Sequence, residues 1–288
     1  MKQYKLIIAK WKLIPAIALT ISLGWGTSCS DLFDEKLNNQ YETEKYFETT
    51  ARLNMSVQGI YKVLINKKTY GQMWMVAESG TDIYQINGGL GHVARDLGHY
   101  NLTPDHSWIE GAWQLYFDGI NRANAVIDYG HYATDNDELR EQLIAEAYCM
   151  RAFLYFDLVR WWGDVPLKLK TSLATDDFNM VREDRDVVYA QIISDLEKGI
   201  PNLPWATNKV QGRISKGAAM GLLGKAYLYR GGYALNQEGK MTRPANYKDY
   251  YTKAAEIFDT LIKEGKHGLE PSFEGLFKDY YCTTTEYR

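Results

Sequence analysis

Cysteine is scarce in this chain: three residues among 288, Cys29, Cys149 and Cys282. They lie far apart, so no spacing describes a disulfide framework or a metal knuckle. Cys149 sits inside an apolar helical segment, and both it and Cys282 are expected to be reduced and buried. A long apolar run is also lacking. The stretch 13–23 is too short to span a bilayer core of about 30 Å as a helix. Basic charge is not in excess, with 33 Lys and Arg against 36 Asp and Glu. Phosphate affinity needs a basic footprint, so no nucleic-acid partner is expected. Sustained alternation of apolar and polar residues is missing, which makes strands minor. Gly-x-Ser-x-Gly, His-Glu-x-x-His, Cys-x-x-Cys and the phosphate loop are all absent, so no enzyme, cofactor or metal site is expected. Glu78 with Asp82, and Asp105 with Glu110, are the available carboxylate pairs, at a spacing common on solvated turns. His92, His99 and His106 recur every seven residues, but the glycines between them break any helix that would align them.

The N-terminus carries an export signal. Lys2, Lys5, Lys10 and Lys12 precede the short apolar run, which gives way to Gly26, Thr27, Ser28 and Cys29. A basic start, a short apolar core and small residues before a cut describe a cleaved signal, residues 1–28. Small residues directly before Cys29 further suggest a bacterial lipobox, with Cys29 lipidated as the new N-terminus, although Gly26 stands where Leu is usual. After cleavage 29 basic residues face 36 acidic ones. Residues 29–48, polar and acidic, read as a lipidated tether.

What is abundant is aromatic surface: 22 Tyr, 9 Phe and 8 Trp. Tyr and Trp join an apolar face to a polar tip, which suits a wet interface or a sugar ring. From Thr49 onward the pattern is helical, with Leu53, Val57, Ile60 and Leu64 at spacings of three and four. Further helices are expected at about 107–129, opened by a Ser107–Glu110 capping box and closed at Gly130. Others are expected at 137–162, stopped by Gly163; at 186–198, stopped by Gly199; at 215–229; and at 247–263. Within 137–162, Ala145, Tyr148, Ala152 and Val159 are expected to line one face, with Trp161 and Trp162 at the less completely packed end. The segment 66–106 is rich in glycine and aromatics and reads as a long ordered loop region, with a short helix near 73–79. "RAFLY" at 151–155 echoes "KAYLY" at 225–229, each after small residues and before a second helix. Small residues that let helices approach, followed by bulky ones that fill the next layer, are the logic of tetratricopeptide-like stacked pairs. The fold class expected is all-α, mainly helical.

Several segments carry a family resemblance. "EAYCMRAFLYFDLVRWWGDVPL" strongly resembles the "EA…RA…YF.LV…GDVPL" segment of SusD/RagB-family outer-membrane nutrient-binding lipoproteins. "SWIEGAWQLYFDGINRANAVID", "GRISKGAAMGLLGKAYLY" and "ESGTDI" are similar to further segments of that family, in the same order, and "CSDLFDE" to its lipidated start. The resemblance implies a SusD-like helical domain over 49–288, the N-terminal portion of a longer protein. It also implies a cell-surface lipoprotein anchored in the outer membrane. Such proteins bind a glycan or peptide and sit as a lid on a SusC-like TonB-dependent transporter. A peptide-binding RagB-like role and a tetratricopeptide-type scaffold for another protein are the alternatives.

Sugar recognition needs a flat apolar surface for the ring's C–H face and polar groups for its hydroxyls. In the long loop Tyr84 offers the surface, and Asn87, His92, Arg95 and Asp96 supply donors and acceptors. Gly88, Gly89 and Gly91 would let backbone approach the ligand. These five are the expected ligand-binding residues, and the resemblance places ligand contacts in the same loop. No Trp lies between Tyr84 and Trp108, where glucan-binding members carry large aromatics.

A chain without a spanning helix needs a covalent anchor to stay on a membrane, and one acyl chain alone binds only marginally. Cys29→Ala is therefore expected to move the protein from the membrane pellet to the soluble fraction. Retention in the pellet of cells that lack the transporter would count against lipidation at Cys29.

Overall fold

The computed structural model describes residues 43–83, 93–172, 179–206, 212–264, 266–268 and 271–274. Cys29, Cys282 and the loop residues Tyr84, Asn87 and His92 lie outside them. The described residues are mainly helical: α1 (Thr43–Tyr46), α2 (Thr50–Leu64), a π-helical turn (Lys67–Gly71), α3 (Gln72–Ser79), α4 (Val93–Gly98), α5 (Ser107–Tyr129), α6 (Asp137–Trp162), α7 (Arg185–Gly199), α8 (Lys216–Gly231) and α9 (Tyr247–Lys263). The one sheet among them is an antiparallel pair of two-residue strands, β1 (Ala234–Leu235) and β2 (Met241–Thr242). α5 packs on α6, α6 on α7, α7 on α8 and α8 on α9, while α2 covers α5 and α6. This is the expected stack.

Local chemistry sets most helix ends. Thr49, Asn136, Asp184 and Ser215 each accept a backbone N–H from the first turn of α2, α6, α7 and α8, which satisfies one otherwise orphaned donor. α6 ends where Gly163 takes φ +71°, a conformation that glycine enters without steric cost. α9 spans the expected 247–263. One expected cap is not made. The cap of α5 is His106, whose carbonyl accepts from Glu110 N at 3.0 Å, and Ser107 is already helical. A turn that brings His106 N to Thr103 O starts the helix one residue early, and Glu110 instead accepts from Gln114 at 3.0 Å. α5 ends as expected, with Gly130 as its C-cap. The glycine's φ is −59°, and the chain runs on into a 3₁₀ turn, Gly130–Tyr132. The packed body also begins before Thr49: α1 is helical, and Phe47 is buried and stacked 5.7 Å from Tyr129.

α6 is the centre of the stack. It is buried almost all round between Leu143 and Val159, rather than along a single face. A helix without amphipathic bias is one enclosed by neighbours, and here α2 and α5 lie on one side and α7 and α8 on the other. Ala152 and Ala226 are fully buried, as the close-contact reading requires.

Glycine brings the helices closest. A Cβ on Gly199 would sit 2.7 Å from the Ala145 carbonyl oxygen of α6. A Cβ on Gly224 would lie 2.6 Å from the Phe258 ring, and one on Gly231 2.9 Å from the Tyr251 ring, both on α9. Gly217, Gly224 and Gly231 recur at a spacing of seven along α8, a stripe that sequence reading passed over.

Two measurements check this packing. Ala152→Leu overfills the α6 contacts and should destabilise by about 1–3 kcal/mol; an unchanged melting temperature would place that face in solvent. Cys149 is free and fully buried. Burial, with Asp195 and Glu146 nearby, pushes its thiol up to about 12. The thiolate is the reactive form, so the Cys149 peptide should stay unalkylated at pH 8 in the native protein and react after denaturation.

Candidate functional site

Two regions carry site-like chemistry, and they are built on different elements. The first is the loop region 66–106. Its described parts are more helical than the sequence suggested, because α4 was not anticipated. The Tyr100 hydroxyl donates to Gly80 O at 3.2 Å, and one ring nitrogen of His106 bonds Val93 O at 3.0 Å. These bonds tie the far end of α3 and the start of α4 to the residues around α5's N-terminus. Arg95 and Asp96 are half-buried on α4. They are the two expected ligand contacts that fall within the described residues. Asp96 also anchors the turn after α4, its carbonyl oxygen accepting from Asn101 N at 2.9 Å. The loop is held from its other flank by Tyr70, whose hydroxyl donates to Asp157 of α6 at 2.5 Å. Burial, then the Asp157 charge, pushes that hydroxyl far above the usual phenol range.

The second region is a cleft of about 520 Å³ at the C-terminal end of α6. None of the described residues that line it comes from the 66–106 loop. The two adjacent tryptophans of α6 part company here. Trp162 turns inward, 5.4 Å from the Trp113 ring and 6.0 Å from Tyr116. Trp161 turns outward and is 38% exposed. Gly163 then reverses the chain. Asp164 follows, and its carboxylate accepts from Arg185 N at 3.0 Å and from the Gln237 amide. It thereby joins α7 to the β1–β2 hairpin. Arg185 completes the joint by donating to the carbonyls of Leu235 and Ala234 and, at 3.1 Å, to the Thr242 hydroxyl.

Arg160 forms the floor of the cleft. It is ion-paired with the buried Asp157 and lies over the Phe156 ring, 4.6 Å from its centre. Tyr229 of α8 stands edge-on to the same ring at 5.2 Å. Tyr233, 60% exposed, and Arg182 complete the rim. The sequence placed Trp162 as well as Trp161 at the less completely packed end, but Trp162 packs inward and the surface residue of the two is Trp161. The sequence could not join Arg182, Tyr229 and Tyr233 to Trp161, since that takes the packing of α8 on α7 and the turn at Gly163.

Residues 31–228 match a SusD-like family model described as "Starch-binding associating with outer membrane". The chain belongs to the SusD-like family. A SusD-like protein of Formosa agariphila is 26% identical over 282 residues, which are 96% of this chain and 50% of that protein. The structure of a SusD homologue from Bacteroides thetaiotaomicron superposes with a TM-score of 0.70 at 28% identity, covering 84% of this chain and 46% of that one. A laminarin-binding SusD-like protein superposes at 0.57 with 27% identity, over 64% of this chain and 41% of that one. The SusD-like chain thus spans about half the length of the curated relatives it matches. Among its described residues no group of three His, Cys, Asp or Glu is placed to hold a metal ion.

Proposed function

We propose that this SusD-like chain belongs to a cell-surface lipoprotein that binds oligosaccharide and hands it to a TonB-dependent outer-membrane transporter. The observation that carries the reading is the family match over residues 31–228, whose description names starch binding and the outer membrane. A related structure that binds laminarin supports a glycan as ligand. No described helix is long and apolar enough to cross a membrane, and the anchor in this reading is acylated Cys29, after removal of residues 1–28. The stacked helices then act as a rigid frame. Sites held by packed elements position ligand contacts better than free loops do, and here Tyr70 ties the 66–106 region to α6 and His106, the cap of α5, ties in the start of α4.

In this reading the loop supplies Tyr84 as the stacking surface and Asn87, His92, Arg95 and Asp96 as polar contacts. The full-length protein on a glycan array should retain a defined set of oligosaccharides, and calorimetry with the best of them then tests the loop. Arg95→Ala removes charge-assisted hydrogen bonds worth about 1.5–3 kcal/mol, at least a tenfold loss in Kd. Tyr84→Ala should weaken binding comparably, with circular dichroism unchanged for both. Wild-type affinity in both variants would exclude the loop as the ligand site, and an array that retains no glycan would overturn the function.

A further inference from the structure

We propose that the cleft at the end of α6 is a second binding site, separate from the 66–106 loop, for an acidic saccharide: a pyranose bearing a carboxylate or a sulfate. The saccharide part of this assignment rests on the glycan-binding reading above. The acidic part rests on the cleft itself. At about 520 Å³, it has the volume of a small-molecule site, roughly 300–1,000 Å³.

Its charge is the first argument. Arg160, Arg182 and Arg185 line the cleft against the single carboxylate of Asp164, in a chain whose formal net charge is −3. Arg160 is met by Asp157. Arg185 donates to carbonyl and hydroxyl oxygens, so its hydrogen bonds are used, while among the described residues no carboxylate pairs with its guanidinium. Arg182 is exposed and has neither a hydrogen bond nor an ion pair among the described residues, even though Glu183 follows it in sequence. A planar guanidinium fork, here unpaired among the described residues, matches a carboxylate or sulfate in two parallel hydrogen bonds.

The aromatic rim is the second argument. Trp161 makes no ring contact among the described residues, in contrast to Trp162 one position on, and stands 38% exposed at the cleft wall. Tyr233 is 60% exposed on the hairpin side. The exposed ring of Trp161 suits the C–H surface of a pyranose, a flat apolar body beside polar tips, while Tyr233 already carries Arg243 over its ring, 4.5 Å from its centre. The amides of Asn236 and Gln237 lie in the same wall. Asn236 uses its carbonyl oxygen within the hairpin turn, accepting from Lys240 N at 2.8 Å, which leaves its amide nitrogen as a donor toward a hydroxyl.

The third argument is rigidity. Asp164 bonds both α7 and the hairpin, and Glu183 N donates to Val165 O at 3.0 Å. The walls are therefore set before any ligand arrives, which reduces the ordering cost of binding. Arg160, Arg185 and Asp164 hold the walls, leaving Arg182 and Trp161 as the ligand-facing residues.

The test is calorimetry on the full-length protein with three probes: tri-galacturonate, a sulfated galactan oligosaccharide and the neutral laminaritriose. At least one acidic probe should bind ten times or more tighter than the neutral trisaccharide, and its affinity should fall as NaCl is raised from 50 to 500 mM. Arg182→Gln should abolish that preference, and Trp161→Ala should weaken the acidic probe at least tenfold. Both side chains are at the surface, so melting temperatures should not move. An acidic probe that binds no tighter than the neutral one, or that is unaffected by both cleft variants, overturns the proposal and leaves the glycan-binding reading standing. Absence of binding by all three probes, together with a blank glycan array, overturns both.

Discussion

Arg151 is the side chain on which this stack depends. It is buried, and its guanidinium meets Asp195 of α7 through two nitrogens, each at 2.7 Å. A third nitrogen reaches Asn124 of α5 at 2.7 Å and the Leu169 carbonyl at 3.2 Å. One residue of α6 is thereby fastened to α5, to α7 and to the segment that follows Gly163. A buried pair of this kind returns little net stability, because desolvation offsets much of the attraction. Removing one partner leaves a buried charge unmet, at a cost of about 3–5 kcal/mol. Its effect is on register, since a helix slid by one residue could not satisfy the fork.

The same device recurs along α6. Glu146 accepts from Tyr61 of α2 at 3.0 Å and from Arg213, ahead of α8, at 2.9 Å. Asp157 accepts from Tyr70 at 2.5 Å and from Tyr116 at 3.3 Å, and pairs with Arg160. Each joins α6 to a different set of neighbours. Between them run alanines and large aliphatic side chains, so apolar packing supplies stability while the three polar points set alignment. On the far side of the stack close approach takes over, with Gly224 and Gly231 of α8 admitting the Phe258 and Tyr251 rings of α9.

The cleft follows from this alignment. Asp157 fixes Arg160 against Phe156, Trp162 is taken up by Trp113 and Tyr116, and Gly163 turns the chain. Trp161 is left facing outward because the neighbouring position is anchored inward. In a helix adjacent residues point about 100° apart, so one tryptophan packs and the next stands at the rim.

What was legible in the sequence was local. The ends of α6 could be read because an Asn cap and a left-handed glycine act within a few residues of the apolar period, and those of α9 because its apolar period is strong. The stacked pairs could be read because Ala152 and Ala226 stand at equivalent places in two similar pentapeptides. The Ser107–Glu110 cap was misread because the start of α5 is set by the turn that precedes His106, and a motif of four residues does not contain that turn. α4 was missed because a single turn and a half of helix leaves little periodicity.

Tertiary structure alone decided the rest. Arg151 belongs to a helix that is enclosed almost all round, and its partner Asp195 lies 44 residues away. Arg95 and Asp96 could be named from residue chemistry, since a sugar site needs such groups. Arg182, Trp161 and Tyr233 could not be joined without the fold, because their proximity comes from helix packing and a hairpin held by Arg185. Sequence spacing encodes what neighbours along the chain do to one another. Which distant side chains come to share one solvent-filled space depends on how whole helices stack, and no short pattern of residues carries that information.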